Sequence, residues 1–486
     1  MSGLAGSLTS VVAVADGASL GGGLGIGLLL AYSALLIALG LWLGRRVGTS
    51  AGFFVAGRRL GPGLVGATVL AANIGAGSTV GAASLAYREG VSAWWWVGSG
   101  GLGTLLLALW LGPRLWAIAA EHDLRTVGDY LELRYSATVR GAVAALLWLG
   151  TLAILAGQLI AMAWVLDAVA GVGKVWGCLL GGVVMTLYFS AGGLASSVWV
   201  NLVQLVVLLA GFLLAAPVIW QGAGGADGLL AASDAPTWSA FGHSGAAGPA
   251  LLFLLVPAFL VSPGLIQKAF GARDARSVRR GVGLSALALC AFAFLPTLFG
   301  MAARAAHPEL GAAQADLALP TLLLADLPAW LGLLGLAAVF SAEISSADAV
   351  LFMLSTSLAR DLWGRFVRPD ASDAELLRVA RRTAVGAGLL GVVLAIALPD
   401  VIGALTIFYS LLGVALFVPL LAGLHLPRVG ATDALVALGA GVGALLVLRV
   451  TGAPWGLPAQ AAALLVSGAA CAASVAIRPA TRRPGA

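Results

Sequence analysis

The chain has 486 residues, 60% of them hydrophobic and only 10% charged, with a formal net charge of +6. Soluble proteins carry about 25% charged residues, so this composition excludes a water-soluble enzyme or nucleic-acid-binding protein. Long apolar segments recur along the whole length and indicate a polytopic, all-α membrane protein whose constant partner is the lipid bilayer.

The first 20 residues lack a basic region ahead of an apolar stretch, which predicts a short external tail and no cleaved signal. A span needs about 20 apolar residues. Taken in chain order, spans are predicted near 22–44, 62–86, 93–119, 141–169, 175–191, 195–219, 249–268, 281–302, 327–358, 383–398, 400–426, 432–448 and 457–477. Pro399-Asp400 reads as a tight turn, proline ending one helix and aspartate capping the next. An odd number of spans puts the termini on opposite faces.

Arginine and lysine orient the spans. Of 27 such residues, 23 fall on one side, among them Arg58, Arg59, Arg125, Arg140, the Arg273–Arg280 group, the Arg360–Arg382 group and, at a span end, Lys268. Only Arg88, Lys174, Arg304 and Arg449 fall opposite, and the stretch 221–248 has neither lysine nor arginine. The positive-inside rule then predicts an external N-terminus and a cytoplasmic C-terminus, as in the inner membrane of a bacterium. The short tail after Arg478 predicts no appended soluble domain, and no obligatory protein partner is evident. Cys178, Cys290 and Cys471 read as isolated buried thiols, and the four histidines are scattered, so no catalytic metal centre is indicated.

Two spans contain helix-breaking sequence. The stretch "AANIGAGSTVGAA", residues 71–83, holds Gly75, Gly77 and Gly81 with Asn73, Ser78 and Thr79 between them. Glycine costs about 1 kcal/mol per position in a helix interior, and asparagine in hydrocarbon needs a partner. The second break is Ser262-Pro263-Gly264, at a similar depth in the span near 249–268. Five spans separate the starts of the two, so the second block of five runs in the opposite sense. Paired broken helices in inverted blocks point to a transport site at the membrane midplane. Glycines spaced by four also serve close helix packing, which is the competing account for a single such stretch.

These residues resemble the sodium:solute symporter family. The resemblance runs from "FFVAGRRLGPGLVGATVLAANIGAGSTVGAASLAY" through "LYFSAGGLASSVWVNLVQLVVLLAGFLL" and "VSPGLIQKAFGARDARSVRRG" to "FSAEISSADAVLFMLSTSLARDLW", about residues 53 to 426. It implies a leucine-transporter-like fold with about 13 transmembrane helices: residues 1–44 as tail and first helix, a core over 45–426 with inverted repeats near 62–219 and 249–426, and two further helices in 427–486. It also implies a Na+ site made by the carbonyls of Ala71, Ile74 and Ala342 and the hydroxyls of Ser345 and Ser346. Positions 342, 345 and 346 share one helix face, and oxygen ligands suit a hard cation.

The same resemblance places a small-molecule solute beside Asn73, Gly77, Ser78 and Thr79, walled by Trp95 within Trp94–Trp96, Gln158, Ser262, and Tyr409 within Phe408–Ser410. The family's Thr-Asp pair stands here as Val200-Asn201, followed by Gln204, so the carboxylate that the family associates with a second sodium or with sodium release is replaced by an amide. Glu343 and Asp348 are candidate coupling groups, expected in the cytoplasmic half of their span within reach of water. The glutamine and glutamate used by sugar-transporting relatives are absent near Ser78 and Val97. N–H groups left free where the helix resumes after Gly77 favour a carboxylate, amino acid or similar zwitterion. The expected function is sodium-coupled symport by alternating access. Proton coupling through Glu343 or Asp348, or a membrane sensor on a transporter fold, are the alternatives.

Overall fold

The computed structural model describes residues 58–190, 194–242, 247–452 and 458–477, with single positions between 27 and 42. Among the described residues the structure is helical, apart from one isolated bridge between Leu60 and Ala272. Ten helical segments there are long and apolar enough to cross a membrane. Helix makes up most of the described part of every predicted span from 62–86 onward, and the predicted span 22–44 lies mostly outside the described residues.

The first interrupted span consists of α1 (Pro62–Asn73) and α2 (Val80–Glu89), and the next of α3 (Trp94–Leu106) and α4 (Gly112–Glu121). A short α5 (Val127–Arg134) leads into α6 (Ala137–Ala170), α7 (Gly173–Ser190) and α8 (Leu194–Gly222). The second interrupted span is α9 (Ala247–Leu260) and α10 (Pro263–Phe270), followed by α11 (Ala275–Phe292) and α12 (Phe294–Ala306). Then come α13 (Ala318–Ala325), α14 (Ala329–Thr356), α15 (Asp373–Ala397), α16 (Val401–His425), α17 (Ala431–Thr451) and α18 (Ala459–Ile477).

Local chemistry fixes these boundaries. Asp400 Oδ1 accepts from Gly403 N at 2.7 Å and starts α16, as the Pro399-Asp400 sequence predicts. Ser372 and Glu375 form a capping box on α15. Gly171, at φ 62°, closes the 34-residue α6 in the left-handed conformation. Large apolar side chains such as Leu149, Trp176, Val206, Leu213, Leu284, Leu389, Val393 and Leu446 project outward. That surface would be a liability in water and is the expected one in hydrocarbon.

Helix packing follows a paired pattern. α1 packs on α11 and α2 on α12, while α3 packs on α9; α6 packs on α16, and α8 on α14. At the base, a small clasp ties the two interrupted spans together. Leu60 N donates to Gly271 O and Arg273 N to Leu60 O, each at 3.0 Å. Trp116 Nε1 donates to Ala272 O at 2.9 Å. The Arg58 guanidinium donates to Phe270 O (3.3 Å), Ala119 O (2.9 Å) and Leu124 O (2.6 Å).

Candidate substrate and cation site

The α-helix stops at Asn73, and Ile74 and Gly75 are extended (φ −99°, ψ 105° and φ −150°, ψ −154°). One 3-10 turn over Ala76–Ser78 follows before α2 resumes. Gly75 is there because of a close approach: a Cβ at this position would sit 2.2 Å from Ser346 Oγ and 2.8 Å from Gln158 Oε1. Gly77 is similarly closed off by Leu405 and Trp96. Three backbone N–H groups of the break are already used. Ala76 N donates to Gln158 Oε1 (2.8 Å), and Ser78 N and Thr79 N both donate to Gly75 O (2.8 and 3.0 Å). The N–H groups expected to receive an anionic solute just after Gly77 are thus partly spent on the protein itself.

The unwound carbonyls face α14. Ser345 Oγ donates within 3.0 Å of Ala71 O and 3.1 Å of Ala342 O, and Ser346 Oγ lies 3.0 Å from Ile74 O and 3.3 Å from Ala72 O. The sequence-derived set of Ala71, Ile74, Ala342, Ser345 and Ser346 therefore converges on one place, with Ala72 O beside it. Both serines and all three carbonyl-bearing residues are buried. A single hydroxyl hydrogen serves only one acceptor at a time, so this group of oxygens holds more lone pairs than protons to satisfy them. It can accept a cation.

Next to it lies a cavity between the two breaks. Asn73, Gly77, Ser78, Gln158, Ser262 and Tyr409 all line it, as do Trp96, Phe259, Leu405, Phe408 and Lys268. The second break contributes through Ser262, which precedes Pro263 at the first turn of α10. Tyr409 stacks near Phe259 and Trp96, with ring centroids 5.3 and 6.1 Å away, forming an aromatic end. A second cavity adjoins it at Met353 and Phe408 and leads to Arg140, Thr126 and Asp361. There Arg140 pairs with Asp361 (2.6 Å), Asp129 (2.9 Å) and Glu132 (2.9 Å).

Several sequence-based expectations need correction. Trp95 is not in the cavity wall; its Nε1 donates to Ala240 O at 2.8 Å, and Trp96 takes the expected place. Three consecutive tryptophans on a helix point in different directions, and only packing decides which turns inward. Thr79 faces away from the cavity, 2.8 Å from Glu343 Oε1 and 2.9 Å from Gly75 O. Ser410 turns towards Arg449 and Gln460 on the neighbouring helices. Glu343 and Asp348 are not within reach of water: they are 0% and 4% exposed. Lys268, counted in the sequence with the cytoplasmic arginines, is buried in the cavity wall. Its position one and a half turns past a proline break was the signal available for finding it.

Two interrupted helices facing one another across a central cavity, with carbonyls and hydroxyls gathered beside it, define a secondary transporter of the broken-helix class. The profile of the sodium:solute symporter family matches residues 53–441, and the chain belongs to that family. It is 28% identical over 443 residues to the sodium/pantothenate symporter of Escherichia coli (strain K12), covering 84% of this chain and 87% of that one. It is 24% identical over 407 residues to the sodium/glucose cotransporter of Vibrio parahaemolyticus, covering 75% and 73%. Among solved structures it resembles a Na+-coupled sialic acid symporter in a substrate-bound outward-open state, at TM-score 0.79 and 19% identity, over 94% of this chain and 98% of that one. A nucleobase-cation-symport-1 family transporter in a closed conformation gives TM-score 0.59 at 16% identity, over 89% and 96%. The protein is a multi-pass membrane transporter and not an enzyme.

Proposed function

We propose that this chain is a sodium-coupled symporter that imports a small organic solute across a bacterial inner membrane by alternating access, with one sodium ion per solute. The observation that carries it is the convergence of the Ala71, Ile74 and Ala342 carbonyls on the Ser345 and Ser346 hydroxyls, at 3.0–3.1 Å. In this reading the hydroxyl hydrogens turn aside and sodium binds the lone pairs of the hydroxyl and carbonyl oxygens, which holds the break in α1–α2 against α14. That contact in turn fixes Gly77 and Ser78 in the wall of the adjacent cavity, so ion and solute each favour the same arrangement. The solute site consists of Asn73, Gly77, Ser78, Gln158, Ser262 and Tyr409, with Trp96 in place of Trp95.

Inverted repeats over 62–219 and 249–426 fit the packing pattern. If each helical span of the first block corresponds to one of the second, the contact of α1 with α11 maps onto that of α9 with α3, and α6 with α16 onto α14 with α8. Thirteen spans with an external N-terminus and cytoplasmic C-terminus remain the topology we favour, supported by the arginine distribution. Stoichiometry follows from Asn201, which is fully buried where relatives carry the aspartate. A neutral amide gives a second cation no compensating charge.

A second reading has one specific observation behind it. Glu343 Oε2 is buried without a hydrogen-bond partner, and Oε1 meets the Thr79 hydroxyl, which suits a carboxyl that carries a proton. Uptake of a panel of labelled solutes into proteoliposomes separates the two. An inward sodium gradient alone should drive accumulation; accumulation driven by an inward proton gradient in sodium-free medium would overturn sodium coupling.

A further inference from the structure

Among the described residues that line the central cavity, Lys268 alone carries a charge. It is 3% exposed, so its ammonium group has lost almost all of its water. Burying such a group is unfavourable unless anions face it. Asp348 on α14 is the carboxylate whose charge acts on it, yet Asp348 is not in the cavity wall. An ammonium offers three donors, and its place in the cavity wall puts it within reach of a ligand there. Among the described residues no aspartate or glutamate lines the cavity to oppose an anion there.

The chain order through the second break gives the cavity a direction. Phe259 ends α9 beside Tyr409, Ser262 marks the break, and Lys268 lies five residues past Pro263 on α10, about 8 Å further along the helix axis. The aromatic end is formed by Trp96, Phe259, Phe408 and Tyr409, and the cationic end by Lys268, with the amides of Asn73 and Gln158 also in the wall. A solute that fits has a negative group at one end and an apolar body at the other. A quaternary ammonium compound is repelled, and a neutral polyol leaves the ammonium unmatched.

We infer that Lys268 is the specificity-determining residue of the solute site and binds the carboxylate of an organic anion. This rests on reading the cavity as the solute site. The experiment uses the purified full chain in saturating sodium, with tryptophan fluorescence as readout and paired probes: acetate and acetamide, phenylacetate and phenylacetamide, lactate and lactamide. At least one acid should bind about tenfold or more tightly than its amide, as one charge-assisted hydrogen bond provides. Lys268→Gln should abolish that preference and Lys268→Arg should keep it. The double variant Lys268→Gln/Asp348→Asn carries no buried charge at this place, should fold, and should also lack the preference. Equal binding of acids and amides, no binding of any acid, or a preference that survives in Lys268→Gln overturns the assignment. Sodium-induced thermal stabilisation of the same preparations without solute tests the sodium reading separately, and its failure would leave the acid-binding result standing.

Discussion

Replacing Gly75 by alanine tests the cation site at its tightest contact. The added Cβ would lie 2.2 Å from Ser346 Oγ and 2.4 Å from Ser346 Cβ, against a favourable carbon–carbon separation of about 3.5–4.0 Å. The mismatch exceeds ~1 Å, and neither neighbour can yield freely. Ser346 is buried on the 28-residue α14, and the other close atom, Gln158 Oε1, is held by Ala76 N. The break must therefore move away from α14, at a cost of about 1–3 kcal/mol for overpacking. That displacement separates Ile74 O from the Ser346 hydroxyl, now 3.0 Å apart. Sodium concentration for half-maximal uptake should rise about tenfold or more. Gly75→Ala/Ser346→Gly removes the obstructing side chain, so thermal stability should recover while the sodium defect persists for want of the hydroxyl. Gly77→Ala is the comparison: its Cβ meets the flexible Leu405 side chain at 2.4 Å, and it should disturb the solute constant more than the sodium constant. Wild-type sodium activation in Gly75→Ala would refute the reasoning.

Ser345→Ala/Ser346→Ala keeps the packing but removes both hydroxyls, and should raise the sodium requirement at least about tenfold in uptake assays without loss of folded protein. Reversal potentials in proteoliposomes should fit a single coupled sodium ion, with a Hill coefficient near one; a fit to two ions would defeat the argument from Asn201. A cysteine at exposed Phe241 should react with an impermeant thiol reagent from outside intact cells, and one at exposed Ala374 should not; the opposite pattern would reverse the topology. His307 Nε2 lies 2.7 Å from Asp326 Oδ2, and this hydrogen bond raises its pKa above the ordinary value, with Glu309 adding to it. The contribution to stability is complete below about pH 6.5 and is lost as pH rises through the elevated folded value. Melting temperatures of wild type should accordingly fall between pH 6 and 8.5 by more than those of Asp326→Asn, and parallel profiles would rule the pair out as a source of stability.

Much of this architecture was readable in the sequence because hydrocarbon imposes strict rules. Apolar length marks helices, and Gly75, Gly77 and Pro263 stand out because they cluster with the polar Asn73, Ser78 and Ser262 inside otherwise apolar spans. Ser345 and Ser346 were picked out by the resemblance to the symporter family, and their spacing from Ala342, which puts the three on a common helix face, agrees with it. Orientation around a helix axis was harder. Trp95 and Trp96 are equivalent by composition, and Thr79 and Ser78 by chemistry; only neighbours such as Ala240, Glu343 and Tyr409 decide which enters the cavity. Lys268 was misread because a lysine near a span end usually reaches water. The proline break lowers its helix into the interior instead, and its place one and a half turns past Pro263 was the one local sign of that.

The clasp at Leu60, Gly271 and Arg273 joins the start of one interrupted span to the end of the other by main-chain bonds. These bonds do not depend on side chains, and Arg58 and Trp116 fasten the base of α4 to the same point. Tied there, the half-helices that lead to the two breaks share one fixed footing, so the carbonyl of Ile74 and the cavity wall at Ser262 are both positioned from a single point in the chain.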